Sequence, residues 1–343
     1  MISLYPNDVD GEIYYDTTSS QLRDAALAPT TLRAYDANVH KFLTHTRLSL
    51  HTLLCLSPIL IDQRLSEYID TMFARRGSFD YANQTLFGLV FRCPALRPHL
   101  GESRLRLRGW KRLIQDECKS HPPITWEMTV VFAVTMAKWG RHAEAVATLL
   151  AFDCLLRVGE LTRLQYHDVV MPNDPRMGSA HTGMVVRLAQ AKTGLNQSVS
   201  LDNVQVQSTL YSYLHAHPFL SRDRIFPFSP SSFRTLIREV ANSLGLHDIA
   251  YVPHSFRHGG ATFLFQRGAS IEDIMFRGRW VALESARRYI QMARGLLITL
   301  DIPTRLHQAG ALLAPSVDRV LRHLATVVPS AGRRDRRVWF RLE

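Results

Sequence analysis

Apolar side chains recur every three or four positions along four stretches of the first 120 residues, a spacing that predicts amphipathic helices. The stretches are PTTLRAYDANVHKFLTHTR, SPILIDQRLSEYIDTMFARRG, DYANQTLFGLVFRC and ESRLRLRGWKRLIQDECKS. Thr30 or Thr31 can cap the first helix, and Pro94 interrupts the third. The pattern predicts a helical domain over residues 21–120, preceded by a polar, acidic arm over residues 1–20.

A second unit is predicted over residues 121–343. The two prolines of HPPI, residues 121–124, separate it from the first. It opens with two apolar helices, TWEMTVVFAVTMAKWG and HAEAVATLLAFDCLLRVGEL, and GMVVRLAQAKTGLNQSVSL then reads as two strands joined by a turn. Helices return from SSFRTLIREVANSLG onward, with a helical and basic tail. The fold expected is mainly α with a small antiparallel β-sheet.

Composition narrows the class of protein. The 343 residues carry a formal net charge of +11, which fits a nucleic-acid partner and equally fits a merely basic soluble protein. No apolar run reaches the roughly 18 residues of a membrane span, and the first residues do not resemble a signal peptide. The cysteines show no close pairing, which predicts reduced thiols in an intracellular protein. They are Cys55, Cys93, Cys118 and Cys154.

One segment, between Arg92 and Arg112, is strongly basic and contains a single acid, Glu102. On a helix its basic side chains would spread over much of the surface, and such a surface can contact phosphates. A solvated basic face explains the same pattern. The candidate DNA contacts are Arg104, Arg106, Arg108, Lys111 and Arg112.

Candidate chemistry begins in LLRVGEL and AKTG. Arg157 follows an apolar helix, where a guanidinium needs an anionic partner, and Glu160 can orient it or form a structural ion pair with it. Lys192 lies at the tip of the predicted hairpin. Such a lysine is either solvated or, if the hairpin lies against a substrate, a proton donor to a leaving group.

Two further stretches, HSFRHGGAT and RGRWVALESARRYIQ, add imidazole, guanidinium, indole and phenol groups. His254 and Arg257 are one helical turn apart and can address one phosphate. His258 pairs with His254 at i, i+4, but no third metal ligand follows at a useful spacing. Trp280 precedes a short helix that carries Tyr289, which by itself is either a packed aromatic or a nucleophile.

The order of these groups resembles the catalytic set of the tyrosine recombinases, or phage-type integrases. LLRVGEL, AKTG, HSFRHGGAT and GRWVALESARRYI match the family's blocks over about residues 150–292. HSFRHGGAT looks closest to recombinases of eukaryotic mobile elements such as Crypton-like ones. The resemblance implies a SAM-like helical core-binding domain followed by an α+β DNA breaking-rejoining catalytic domain. Trp280 stands where most members carry histidine, although some carry tryptophan.

The resemblance also implies a mechanism and its residues. Tyr289 would attack the scissile phosphate of double-stranded DNA and form a 3′-phosphotyrosyl link, without metal, cofactor or ATP. Catalytic roles would fall to Arg157, Lys192, His254, Arg257, Trp280 and Tyr289, with Glu160 and His258 in support. Recombination would need a homotetramer on two DNA sites, a dimer on each, and a nuclear location if the host is a eukaryote. The alternatives are a type IB topoisomerase and a non-catalytic DNA-binding protein derived from a recombinase.

Overall fold

The computed structural model describes residues 21–114, 121–172, 174, 183–191 and 194–330. The chain divides into two compact units, residues 1–119 and 120–343. Among the described residues the secondary structure is helical apart from one three-stranded antiparallel sheet. The prediction of a mainly α fold with a small antiparallel sheet is therefore confirmed.

The first unit is a set of helices around one apolar core. Its α-helices are α1 (Gln21–Ala25), α2 (Pro29–Thr46), α3 (Leu50–Leu54), α4 (Pro58–Ala74), α5 (Phe79–Arg92) and α6 (Gly101–Leu113), with a 3₁₀ helix over Pro94–His99. Phe42, Leu65 and Leu89 lie at its centre, fully shielded from solvent. The helix predicted to be capped by Thr30 or Thr31 instead begins at Pro29, which suits a first helical position because proline lacks an N–H.

A buried carboxylate from another helix caps the N-terminus of α6. The carboxylate of Asp62, on α4, accepts hydrogen bonds from the backbone N–H groups of Glu102 and Ser103, both at 2.9 Å. It also accepts one from the Ser103 hydroxyl. These N–H groups have no acceptor within their own helix, so Asp62 fastens the basic helix α6 to α4.

We expect Asp62→Ala to lower the free energy of unfolding by about 2–3 kcal/mol, because the backbone N–H groups of Glu102 and Ser103 lose their acceptor. Urea unfolding followed by circular dichroism measures the change. Glu67→Ala, an exposed acid on the same helix, is the matched control and should cost less than about 0.5 kcal/mol. Equal effects of the two substitutions would contradict the capping role of Asp62.

The second unit contains the remaining helices and the sheet. Its helices are α7 (Trp126–Lys138), α8 (His142–Asp153), α9 (Val158–Leu161), α10 (Val204–His215), α11 (Pro230–Ser243), α12 (Pro253–Gln266), α13 (Ile271–Gly278), α14 (Leu283–Tyr289), α15 (Met292–Asp301), α16 (Thr304–Leu313) and α17 (Val317–Val327). Short 3₁₀ helices cover Tyr166–Asp168 and Ala314–Ser316.

Helices α7 and α8 form the centre of this unit and are buried on nearly every side. The single helix predicted over HAEAVATLLAFDCLLRVGEL is wrong, because α8 ends at Asp153 and α9 begins at Val158. Between them Leu155 adopts a left-handed backbone, with φ of 49°. That conformation is unfavourable for a residue with a branched side chain, and it turns the chain sharply toward Arg157.

The sheet has the order β1-β2-β3, with β1 at Val169–Val170, β2 at Met184–Ala191 and β3 at Gly194–Leu201. Strands β2 and β3 form the predicted hairpin, with Met184 opposite Leu201 and Ala191 opposite Gly194. Strand β1 is a short addition that the sequence pattern did not predict. Lys192, which was predicted at the hairpin tip, lies outside the described residues.

The C-terminal helices cover their own unit. α16 packs on α7, and α17 packs on α7 and α10. Val317 and Leu321 bury the apolar side of α17 in the main core. In the described ranges no helix combines the length and the apolar character that crossing a membrane would require.

Candidate active site

Three segments of the second unit meet beside a small apolar cluster that is separate from the main core. They are the turn from Cys154 to Glu160, helix α12, and the α13–α14 segment. Leu155, Ala261, Ile274, Trp280 and Ala286 form the cluster, and Tyr289 packs against it. The turn is about 100 residues away in sequence from the other two segments, so tertiary packing alone brings its polar side chains to theirs.

Glu160 lies at the centre of a buried ion-pair network. Its Oε1 accepts from Arg157 Nη1 at 2.8 Å, and its Oε2 accepts from the Arg157 backbone N–H at 2.8 Å. Oε2 also accepts from Arg279 Nη2 at 2.8 Å. Burial alone would raise the pKa of Glu160, but Arg279 and Arg157 outweigh it and hold this pKa below its ordinary value. Glu160 is therefore an anion that fixes two guanidiniums.

Arg257 is completely buried on α12. Its Nη1 donates to the carbonyl of Leu155, and its Nη2 donates to the carbonyl of Gly278. Burial first, and then the charges of Arg157 and Arg279, lower the pKa of Arg257 to about 9. The side chain stays charged at neutral pH, next to two other positive charges and a single carboxylate.

Two aromatic rings cover the guanidinium of Arg257. Its Cζ lies 4.5 Å from the ring centroid of Trp280 and 5.2 Å from that of Tyr289. The two rings also contact each other, with centroids 4.6 Å apart. Gly278 allows this arrangement, because a Cβ at this position would overlap the Trp280 ring. The predicted nucleophile is thus held against a buried cation.

His258 is the histidine that contacts Tyr289. The rings stack with centroids 4.3 Å apart, and Gln291 Nε2 lies 3.2 Å from His258 Nδ1. The Thr262 hydroxyl donates to the Tyr289 carbonyl at 3.3 Å and accepts from the Gln291 backbone N–H at 3.1 Å. Helix α12 therefore holds both the ring and the backbone of the segment that carries Tyr289.

His254 has a different neighbour. Its ring is parallel to that of His121, at 3°, with centroids 6.1 Å apart. Burial is the main reason that the pKa of His254 is lowered to about 4, and Arg257, His121 and Arg157 add to this. At neutral pH His254 is an uncharged imidazole beside the arginines.

Close packing places α12 at this site. A Cβ at Gly259 would overlap the carbonyl of Ile124, and one at Gly260 would overlap the carbonyl of Phe152. The two glycines let α12 approach α8 and the chain before α7. His254, Arg257 and His258 are brought to the turn around Leu155 in this way.

Sequence reasoning did not identify Arg279 or His121 as part of the site. Arg279 is 7% exposed and donates to Glu160. In the sequence it is one of two arginines in RGRW, and nothing in that pattern indicates that it is buried. Gly278 is the last residue of α13, and Arg279, not the glycine, takes the left-handed conformation, with φ of 56°. At the other end of this helix Ser270 Oγ accepts from the Asp273 N–H at 3.0 Å.

The candidate DNA contacts on α6 belong to the first unit. Arg108, Lys111 and Arg112 are exposed there, and Arg104 is half-buried. Arg106 donates to Asp70 at 2.8 Å and to Glu102 at 2.6 Å, so part of its charge is offset within the unit. As for metal sites, the described part of the chain holds no group of three or more histidine, cysteine or acidic side chains suited to a metal ion.

Acidification should weaken this unit through His258. Burial is the first cause that lowers its pKa to about 4, from the 6.5 of an ordinary histidine. Between these values the unfolded chain binds more protons than the folded chain, so stability present above pH 6.5 is lost as the pH falls toward 4. From pH 7 to pH 5 we expect a loss of about 1–2 kcal/mol in the free energy of unfolding.

Urea midpoints of the full chain at the two pH values measure this loss. His258→Gln should remove about 1–2 kcal/mol of the dependence and leave the part due to His254, whose pKa is also lowered to about 4. His323→Gln, at an exposed histidine on α17, should leave the dependence unchanged. An undiminished dependence in His258→Gln would assign the effect to other groups.

Comparisons with known proteins agree with this fold. The Tn1549 transposon integrase in complex with transposon right end DNA has a TM-score of 0.52 and 13% identity, over 82% of this chain and 97% of that chain. The XerH site-specific recombinase bound to a palindromic difH substrate has a TM-score of 0.50 and 14% identity, over 82% of this chain and 79% of that chain. No curated protein matches the sequence significantly.

The fold is thus that of the recombinase and the transposon integrase just named. Residues 134–295 match the phage integrase family, which is that of the tyrosine recombinases. The match includes Arg157, Glu160, Arg257 and Tyr289 and so confirms the resemblance drawn from the sequence. The narrower likeness to Crypton-like recombinases stays a prediction.

Proposed function

We propose that this chain is a site-specific DNA recombinase, or integrase, that breaks and rejoins DNA through a covalent link to Tyr289. One observation carries the proposal. The Tyr289 ring lies over the buried guanidinium of Arg257, 5.2 Å from its centre, and packs against the ring of Trp280. A packed aromatic needs no such cations around it, whereas a phenol that attacks a phosphate does.

The charge balance of the site favours an anionic ligand. Arg157, Arg257 and Arg279 surround one carboxylate, Glu160. Three buried N–H donors, Arg257 Nε, Arg279 Nε and Trp280 Nε1, have no hydrogen-bond acceptor among the described residues. Buried donors without acceptors are costly, and phosphate oxygens are strong acceptors of the kind they lack.

In the proposed cleavage step the Tyr289 oxygen attacks the scissile phosphorus. The bond to the 5′-oxygen breaks, and the DNA 3′-phosphate stays on the tyrosine. Arg157 and Arg257 stabilise the charge that develops on the nonbridging oxygens, and Trp280 donates its indole N–H to one of them. The phosphodiester energy is kept in the new bond, so rejoining needs no ATP, and the two guanidiniums supply the charge stabilisation that metal ions supply in other phosphoryl-transfer enzymes.

Proton transfer falls to His254 and Lys192. His254 is uncharged at neutral pH, as a general base must be, and takes the phenol proton. Lys192 gives a proton to the departing 5′-oxygen. The contact between His258 and Tyr289 supports a role for His258 in orienting the phenol rather than in accepting its proton.

Double-stranded DNA is the proposed substrate. The Tn1549 integrase and XerH structures contain DNA, and the net charge of +11 favours the same partner here. The exposed cations of α6 would contact the phosphate backbone. Strand exchange between two sites would require a tetramer, with two protomers on each duplex.

Covalent capture tests the proposal. The full chain is incubated with nicked duplexes from a randomised pool, so that the short cleaved fragment diffuses away and the covalent complex accumulates. We expect DNA that stays attached after denaturation, with the link mapped to Tyr289 by mass spectrometry. Addition of EDTA should not reduce the yield.

Two results would contradict the proposal. One is the absence of any covalent complex despite DNA binding, which would indicate a binding protein without activity. The other is a link to a different residue. A captured site placed on two duplexes then tests recombination directly. A recombinase joins strands of the two duplexes, whereas a topoisomerase relaxes supercoils and yields no joined product.

A further inference from the structure

Arg279 is a buried arginine in an unusual backbone conformation, directly before Trp280. It follows the last residue of α13, with φ of 56°, and is 7% exposed. A side chain with a Cβ is strained in this region, and burying a guanidinium is costly unless most of its donors are paired. Glycine would fit the backbone without strain, so the contacts of the guanidinium must offset both costs.

Those contacts lead to both of the arginines proposed to clamp the phosphate. Arg279 Nη2 donates to Glu160 Oε2 at 2.8 Å, and Glu160 in turn holds Arg157 through its side chain and its backbone N–H. Arg279 Nη2 also donates to the Leu155 carbonyl at 3.1 Å. The same carbonyl accepts from Arg257.

Leu155 is itself in the left-handed region, with φ of 49°. Its carbonyl is thus aimed at two guanidiniums by a strained turn, and Arg279 is one of the groups that hold the turn. Arg279 Nη1 donates to the carbonyl of Arg277 at 3.0 Å, which ties the chain just before Trp280 to the same guanidinium. Strain of this kind persists only where surrounding contacts enforce it.

We propose that Arg279 is a positioning residue for the phosphate clamp, acting on Arg157 through Glu160 and on Arg257 through the Leu155 carbonyl. The inference rests on the proposed function and deepens it. Removal of the guanidinium leaves Glu160 with a single guanidinium partner and frees the turn at Leu155. Both clamp arginines then lose a fixed orientation, which costs rate more than affinity, because DNA binding depends on many other phosphate contacts.

The test compares Arg279→Gly and Arg279→Lys with the unchanged chain. Glycine suits the backbone, so the substitution removes the guanidinium without new strain. Single-turnover cleavage of a captured nicked site at saturating DNA should slow by about 10- to 100-fold in Arg279→Gly, with DNA affinity within about threefold. Lysine can still reach Glu160 but cannot also satisfy the carbonyls, so Arg279→Lys should recover only part of the rate.

Chemical rescue separates positioning from a general loss of structure. Methylguanidinium at tens of millimolar should raise the cleavage rate of Arg279→Gly at least fivefold. An equal concentration of sodium chloride should leave this rate unchanged. Arg267→Gly is the matched control, because this exposed arginine caps α12 outside the site. It should cleave at the unchanged rate and gain nothing from methylguanidinium. An Arg279→Gly variant that cleaves within twofold of the unchanged chain, or that methylguanidinium does not rescue, would overturn the inference.

A second arm needs no cleavage. Inorganic phosphate should raise the melting temperature of the unchanged chain, and Arg279→Gly should need at least fivefold more phosphate for the same shift. If the unchanged chain never cleaves DNA but this difference is found, the proposed function fails and the inference stands. If the chain cleaves DNA and phosphate acts equally on both proteins, the inference fails and the proposed function stands.

Discussion

Tyr289→Phe should bind DNA as tightly as the unchanged chain and form no covalent complex with it. The substitution removes the one oxygen that would attack phosphorus and leaves the ring in place. Its contacts with His258 and Trp280 are ring contacts, at 4.3 and 4.6 Å, so the fold of the site should persist. Cleavage should fall by at least about 10⁴-fold, equivalent to more than about 5 kcal/mol of activation free energy. A gel that separates covalent complexes after denaturation, together with a binding titration, measures both quantities.

Tyr211→Phe is the matched control for that experiment. Tyr211 is a 45% exposed tyrosine on α10, stacked on His215 and remote in sequence from the site. Its variant should cleave normally. Cleavage that survives in Tyr289→Phe would show that Tyr289 is not the nucleophile. The arginines around it would then need another explanation.

Arg157→Ala should slow single-turnover cleavage by about 10³-fold, or about 4 kcal/mol, because one of the two guanidiniums proposed to stabilise the transition state is lost. The fold should tolerate the change. The Arg157 side chain is partly exposed, and Glu160 keeps its ion pair with Arg279 at 2.8 Å. DNA affinity should fall by less than about tenfold, since the contact is one of many.

Arg319→Ala serves as the control for charge alone, because Arg319 is an exposed arginine on α17. It should leave the cleavage rate unchanged. A loss in Arg157→Ala that appears only as weaker binding, with a normal rate at saturating DNA, would show that Arg157 stabilises the bound DNA and the transition state equally and does not accelerate the chemical step.

The order of the chemical groups could be read from the sequence. Each of LLRVGEL, HSFRHGGAT and GRWVALESARRYI is short, but together they indicated the phage integrase family. The match of residues 134–295 to that family agrees. Helices and hairpin were also predictable, since their periodicities follow from local geometry. The ends of the helices and strands were less predictable. The break after Asp153 depends on a left-handed leucine, for which a local pattern gives no sign.

Some partners in the site could not be predicted, because they are distant in sequence. Arg257 donates to a carbonyl 102 positions away, and Arg279 to a carboxylate 119 positions away. The sequence placed His254 and His258 on one helix, but it did not show that His258 contacts Tyr289 while His254 stacks on His121. Such choices depend on how α12 packs.

The sequence by itself determined which groups are present, their order, and the helices and hairpin that carry them. Tertiary structure decided which of them meet. Only the tertiary structure shows that Arg279 forms an ion pair with Glu160. It also shows that α16 and α17 pack on their own unit. The physical reason is that periodicity records which face of an element is buried, whereas a guanidinium finds its carboxylate and carbonyls only after the elements have packed.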